Sequence, residues 1–332
     1  MVGIVGASSA PLTAKKVRPP RDVYRQTVPD DLSERSPKLR GKVSGTGVAN
    51  RCDRSAVIDM PVRTQGKPKV FPAWWRHGLR LYAFTSVFGV GRFVPRYDFY
   101  RFLEHGLLYE HLRLEAGHRI LDVGTGHSTL PLYLASLRQY EIHITDNEAW
   151  GAVRAFHEQK LEKLRLSNEL REGKVTVELQ DARRLSYSEA TFDRIVCVSM
   201  INLVPETGDS QVMAEIGRVL RPGGIAVVSF PYGPAYQERQ SAPWSPSFTR
   251  TYDASAINER LLKPSGLSEV TRWYYGEWPV HVSRMYWLDV PQPLRMTFAA
   301  STPVWTLACL RVTHTPSRVS GGAMLILQKP QG

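Results

Sequence analysis

The stretch "RILDVGTGHSTLPLYLA", Arg119 to Ala135, constrains this chain more than any other. It opens as a short apolar strand, turns on Gly124 and Gly126, and runs straight into an apolar segment with helical spacing. Glycine after a strand lets the backbone turn sharply and lets a ligand approach with no Cβ in the way. Strand, turn and helix form the repeating unit of a parallel sheet, which binds ligands outside the carboxyl ends of its strands. A two-glycine turn also suits a tight connection with no ligand at all. A dinucleotide site would place Gly or Ala at position 129, where the helix packs closely and faces a pyrophosphate. Thr129 stands there, so this turn does not call for a phosphate.

The pattern around the turn repeats. Strand-like runs fall at Arg119–Val123, Glu141–Thr145, Val175–Leu179, Arg194–Val198 and Ile225–Phe230, with helical candidates at Thr129–Leu137, Ala149–Leu166 and Asp209–Val219. This alternation predicts a doubly wound parallel sheet with helices on both faces. Arg221-Pro222-Gly223-Gly224 reads as a tight turn into a buried strand. A helix is expected at Ala254–Leu262, then strands in "SEVTRWYYG" and "AMLILQKP". Ahead of the sheet, Val70 to Leu114 interleaves aromatics and leucines with Arg and His at helical spacing, which predicts two or three amphipathic helices separated at Gly89, Gly91 and Pro95.

Charge is distributed unevenly. Residues 1–68 carry 13 Lys and Arg against 6 Asp and Glu, more than half of the net +12, and show no periodicity. They read as a flexible basic tail, 69–115 as a helical lid, and 116–332 as the main domain. Basicity outside the main domain weakens any inference that its site handles nucleic acid. Three scattered cysteines with no CxxC spacing predict no metal site and a reducing, cytoplasmic setting. The opening residues lack a basic region ahead of their apolar ones, so no secretory leader is expected. Met296 to Leu310, the longest uncharged stretch, is interrupted by Pro303 and too short to span a bilayer.

Two acidic residues close successive strands. Asp146 in "EIHITDNEAW" lies 22 residues after Gly124, where a carboxylate could accept from both ribose hydroxyls or cap a helix. Asp181 in "VTVELQDARRL" could meet an adenine amino group or serve a turn. The order and spacing of "ILDVGTG", "HITDN", "LQDARRL", "FDRIVCVSMINLV" and "RVLRPGGIAVVSF", across Arg119 to Tyr232, resemble class I S-adenosylmethionine-dependent methyltransferases. The resemblance implies a Rossmann-like seven-stranded sheet whose last strand, "AMLILQKP", is antiparallel, and S-adenosylmethionine as cofactor. By position it puts Asp122, Gly124 and Gly126 around the cofactor's amino acid part, Asp146 and Asn147 at the ribose, Asp181 and Ala182 at the adenine, and Ser199 near the sulfonium. The insertion 277–320 before the last strand departs from the family pattern.

Methyl transfer is an in-line displacement in which the cofactor carries the reactivity and the protein supplies alignment. Where many relatives carry a Glu-His pair after the fourth strand, this chain has Ile201-Asn202-Leu203, so the sequence assigns no base there. The remaining candidates are His127 in the turn, and Tyr232 and Tyr236 past the fifth strand. Each could equally be a structural residue, and Arg250 with Asp253 reads as a salt bridge plus helix cap. The aromatics of the N-terminal helices and of the insertion could roof the site or simply pack the core. A small apolar or amphipathic acceptor, methylated at oxygen, follows from the first option. Arg76, Arg80 and Arg92 suit a surface meeting anionic lipid. The alternative is a nucleic-acid-binding or RNA-directed protein that uses the basic tail.

Overall fold

A computed structural model describes residues 71–86, 88, 99–147, 153–239, 248–278 and 300–331. The tail at 1–68, the expected breaks at Gly89, Gly91 and Pro95, and most of the insertion lie outside the described residues.

The expected alternation is present. After α1 (Ala73–Ser86) and α2 (Phe99–His111) come β1 (Arg119–Val123), α3 (Leu130–Ser136), β2 (Glu141–Asp146), α4 (Val153–Lys163), α5 (Ser167–Arg171), β3 (Val175–Leu179), β4 (Phe192–Val198), α6 (Gly208–Val219) and β5 (Leu220–Pro231). A hairpin follows, β6 (Gln237–Arg239) and β7 (Thr249–Thr251), then a helical run: α7 (Ala254–Ala256), a π-helix (Ile257–Leu262) and α8 (Lys263–Ser265). Asp253 caps this run by accepting from Ala256 N–H, and Gly266 ends it at φ +63°. The chain closes with β8 (Ser268–Glu277), α9 (Thr302–Cys309), β9 (Leu310–Thr313) and β10 (Ser320–Gln328).

The main sheet runs β3-β2-β1-β4-β5-β10-β8-β9. Its first five strands are parallel, and β10 enters antiparallel between β5 and β8. The expected seven strands are all present, and the insertion adds an eighth. Its last residues return as α9 and β9, and β9 pairs with Tyr274–Glu277 of β8, covering an otherwise open edge. The expected turn at Arg221–Gly224 is instead a bulge inside β5. Pairing with β4 jumps from Phe192–Leu220 to Arg194–Ile225, and Gly223, at φ +76°, donates to Lys329 O.

Both sheet faces are buried, which is why the strands read as continuous apolar runs. Ile120, Ile142, Ile144, Val196, Val227 and Ile326 face one core, shared with α1, α2, α3 and α4. Leu121, Val123, Ile195, Cys197, Val228 and Leu325 face the other, shared with α6 and the π-helix. Burial pushes the Cys197 thiol up to about 12, so it packs as an inert apolar group. The N-terminal helices are core elements: Leu81, Phe102, Leu103, Leu107 and Leu108 are almost fully buried, with Trp74, Trp75, Tyr82 and Phe84 packed around them. Glycine lets the two helices cross closely, since a Cβ on Gly106 would lie 2.1 Å from Trp74 O. Arg194 of β4 reaches up to donate to Leu112 O and Arg113 O, tying the end of α2 to the sheet.

Candidate active site

The carboxyl ends of β1, β2, β4, β5 and β8 open along one edge, and the chain is pinned tightly there. Gly124 and Thr125 both donate to Thr145 O, at 2.9 and 3.0 Å, which fastens the glycine turn to the end of β2. Gly124 has φ +66° and Gly126 φ +55°, conformations that exclude most side chains. The two glycines differ in surroundings. A Cβ on Gly124 would strike the Met200 side chain at 2.1 Å, whereas a Cβ on Gly126 would meet nothing within 4 Å. Gly124 is therefore required by packing. Gly126 keeps its backbone bare beside open space, as a turn that cradles a ligand must.

Asp146 closes β2 and is nearly buried. Its two oxygens accept from Gly126 N–H (2.6 Å) and Asn147 N–H (2.8 Å). Burial raises its pKa, while those two donors pull it down. The carboxylate keeps lone pairs beyond these two bonds and can accept further hydroxyls. Below the turn, His157 of α4 is fully buried with Nε2 2.9 Å from Gly126 O. Burial lowers its pKa to about 4, so the neutral ring donates to that carbonyl and holds the turn.

Asp122 is the electrostatic centre of the edge. It is 5% exposed, and burial pushes its carboxyl up to about 7, with the Asp146 charge adding to the rise and Thr125 and Arg101 opposing it. Among the described residues no cation lies within salt-bridge distance of it. A carboxyl in this state is held in its charged form only if a cation comes to lie beside it.

A second polar cluster closes the same edge from above. Arg101 of α2 bonds Glu104 at 2.5 Å and Ser199 Oγ at 2.9 Å. The Ser199 hydroxyl donates to Glu104 Oε1 at 3.2 Å, and the Tyr275 hydroxyl donates to the same oxygen at 2.6 Å. Ser199 sits just past β4 at φ +49°, held there by bonds from its N–H to Ser229 O and Oγ. Glu104 and Tyr275 are buried at 3% and 2% exposure, and burial followed by the Glu104 charge raises the Tyr275 pKa well above its ordinary value.

The remaining candidates scatter. Asp181 is half-exposed and gripped by Arg183 through two oxygens, in a turn closed by Arg184 N–H on Asp181 O, while Ala182 packs on the second core. His127 stacks edge-on against Phe156, with ring centres 4.8 Å apart. Tyr232 packs on Tyr274. Tyr236 bonds Glu238 and Arg250 in an ion network that includes the fully buried pair Arg250 and Asp209 and also Arg260. The expected bridge between Arg250 and Asp253 is not formed. Arg250 turns instead to Asp209, Glu238 and the carbonyls of Val204 and Glu206, bracing the loop after β4.

Sequence reading missed Arg101, Glu104, His157 and Tyr275. A signal for two of them was present: Arg101 and Glu104 stand three apart within "YRFLEHGLL", where the apolar face of α2 surrounds the carboxylate.

The strand order with this glycine turn defines a Rossmann-like doubly wound α/β fold. Residues 120–224 match a family model described as a methyltransferase domain. The methyltransferase GfsG of Streptomyces halstedii is 36% identical over 122 residues, 37% of this chain and 41% of that protein. A phosphatidylethanolamine N-methyltransferase of Cereibacter sphaeroides is 32% identical over 115 residues, 34% of this chain and 50% of that one. The chain thus spans half or less of the length of these relatives. The crystal structure of the [4+2]-cyclase SpnF aligns over 80% of this chain and 98% of its own, with TM-score 0.49 and 19% identity. Over residues 120–224 the chain is thus similar to methyltransferase domains, and the relatives it matches there are methyltransferases.

Proposed function

We propose that the chain transfers a methyl group from S-adenosylmethionine to oxygen on a small apolar or amphipathic acceptor. The observation that carries this reading is the pairing of a bare, positive-φ Gly126 with the buried Asp122, which has no salt-bridge partner among the described residues. The cofactor is an adenosine bearing a methionine ammonium, and it supplies a methyl group activated on sulfonium. Asp122 would face that ammonium, with Gly124 and Gly126 admitting the amino acid part. Asp146 and Asn147 would take the ribose, Asp181 and Ala182 the adenine side, and Ser199 the region of the methyl group. The latch from Asp146 to Gly126 keeps the turn in its open shape, so little reorganisation is spent on binding. The family includes oxygen, nitrogen and carbon methylation, and oxygen is preferred here for the proton-accepting cluster above the site.

The apolar or amphipathic acceptor is supported by the aromatic helices adjoining this edge and by the outer surface. Phe71 is 50% and Val304 67% exposed, near Leu79 and Leu307, with Arg76 and Arg80 on the open face of α1. That combination suits the surface of an anionic membrane, and no described helix is long and apolar enough to cross one.

Calorimetric titration tests the reading. S-adenosylmethionine and its demethylated product should bind and NAD should not. Asp146→Ala should weaken binding by about 1–3 kcal/mol, the cost of losing a charged acceptor. Failure of the first two to bind would remove the cofactor assignment, and an unchanged Asp146→Ala would remove that residue from the site.

A further inference from the structure

The buried cluster on α2 has a chemistry that the cofactor site does not use. Glu104 is a carboxylate sunk in the sheet edge, yet three donors converge on it: the Arg101 guanidinium, the Tyr275 hydroxyl and the Ser199 hydroxyl. Arg101 and Tyr275 offset the cost of burying its charge. Ser199 is different in kind. It is half-buried where Glu104 and Tyr275 are sealed, and it is held in a left-handed conformation that a non-glycine residue adopts at a cost of order 1–3 kcal/mol. A packing role gives no reason for a serine there, since glycine would adopt the same backbone without strain. The hydroxyl is what glycine would lack.

We infer that Ser199 and Glu104 form a proton relay for an un-ionised hydroxyl acceptor, with Ser199 touching the acceptor and Glu104 receiving the proton through it. This rests on the methyltransferase reading above. As the acceptor oxygen bonds to the methyl carbon, the carbon–sulfur pair returns to sulfur and leaves a neutral thioether. The acceptor's proton passes to Ser199 Oγ while the proton of Ser199 passes to Glu104 Oε1, so that Glu104 ends neutral and the ether product uncharged. Tyr275, held protonated by burial and the adjacent carboxylate, orients Glu104 and does not itself take the proton. Arg101 orients Ser199 by donating to its oxygen.

The same charges select the acceptor. Arg101 pairs with Glu104 and acts on Asp122 only through its charge, and the Asp146 charge also acts on Asp122. A carboxylate acceptor would add another negative charge to this group and has no proton to give at neutral pH, so the relay would serve nothing. A hydroxyl brings no charge and needs its proton removed.

The test uses the full-length enzyme with methyl-labelled S-adenosylmethionine and four probes of matched character: 1-decanol, 1-naphthol, decanoic acid and decylamine. Label should enter the alcohol or the phenol as an alkali-stable ether, and not the acid as an alkali-labile ester. Ser199→Gly removes the hydroxyl while suiting the backbone, and Glu104→Gln removes the proton acceptor at constant shape. Each should lower kcat at least 100-fold. The calorimetric Kd for S-adenosylmethionine should stay within about threefold in Glu104→Gln, and Glu104→Asp should recover part of kcat. Methylation of the acid or amine alone, no transfer to any probe, or near-normal turnover in Ser199→Gly would each overturn the relay. Loss of S-adenosylmethionine binding in the unaltered enzyme would instead overturn the methyltransferase reading on which it rests.

Discussion

Asp122 shows how a single residue can be legible by position and opaque in character. Its place at the end of β1 followed from "ILDVG", but nothing local in the chain indicates a carboxyl raised to about 7. That state needs burial and the charge of Asp146, brought close by the pairing of β1 with β2. The folded-state pKa lies above the unfolded value of 3.8, so the native protein holds an extra proton between about pH 4 and 7. Stability is full below that window and is lost as pH rises through it. Asp122→Asn should therefore raise Tm relative to the unaltered protein at pH 8 and match it near pH 4. The gain at pH 8 is bounded by about 4 kcal/mol, at about 1.4 kcal/mol per pKa unit. The same variant should bind S-adenosylmethionine more weakly. Thermal melts across pH check the first statement, and equal Tm differences at both pH values would refute it. Asp181 and Tyr236 make the opposite point. Each stands at a plausible position, and each is engaged by partners, Arg183 in one case and Glu238 with Arg250 in the other, that position along the chain does not reveal.

At the scale of elements, the strands were readable because each is buried on both faces and carries an unbroken apolar run. The boundaries of β1 and β3 agree with the reading to the residue. β5 was read as starting five residues late because Pro222 and two glycines look like a turn, and only pairing with the distant Lys329 makes them a bulge. The N-terminal helices were readable as amphipathic, but not what their apolar faces meet. Phe102 and Leu107 face the sheet core, so α1 and α2 are part of the hydrophobic interior as well as the cover over the edge that carries Glu104. Their crossing depends on glycine. Gly106→Ala should gain up to about 1 kcal/mol in helix propensity and lose more to the backbone clash with Trp74, for a net destabilisation of about 1–3 kcal/mol. Urea denaturation measures it, and a neutral or stabilised variant would show that the helices can separate without cost.

For the whole molecule, the uneven charge and the α1 and α9 surface make one joint prediction. A chain lacking residues 1–68 should keep its affinity for S-adenosylmethionine and still sediment with vesicles containing anionic lipid. Leu307→Asp in the full-length chain should abolish most of that sedimentation while leaving cofactor affinity unchanged. If truncation alone removes vesicle binding, the tail is the lipid contact and the helical face is not. The sequence by itself determined the order of strands and helices, the glycine turn and the acids that close β1 and β2. Those features depend on local periodicity and on residues fewer than thirty positions apart, which a linear reading can see. Only the tertiary structure decided which groups share the edge. Glu104, Ser199, Ser229 and Tyr275 are separated by up to 171 positions and meet because α2 folds over the ends of β4, β5 and β8. Their charges and hydrogen bonds are set by burial, a property of the assembled edge that no segment carries alone.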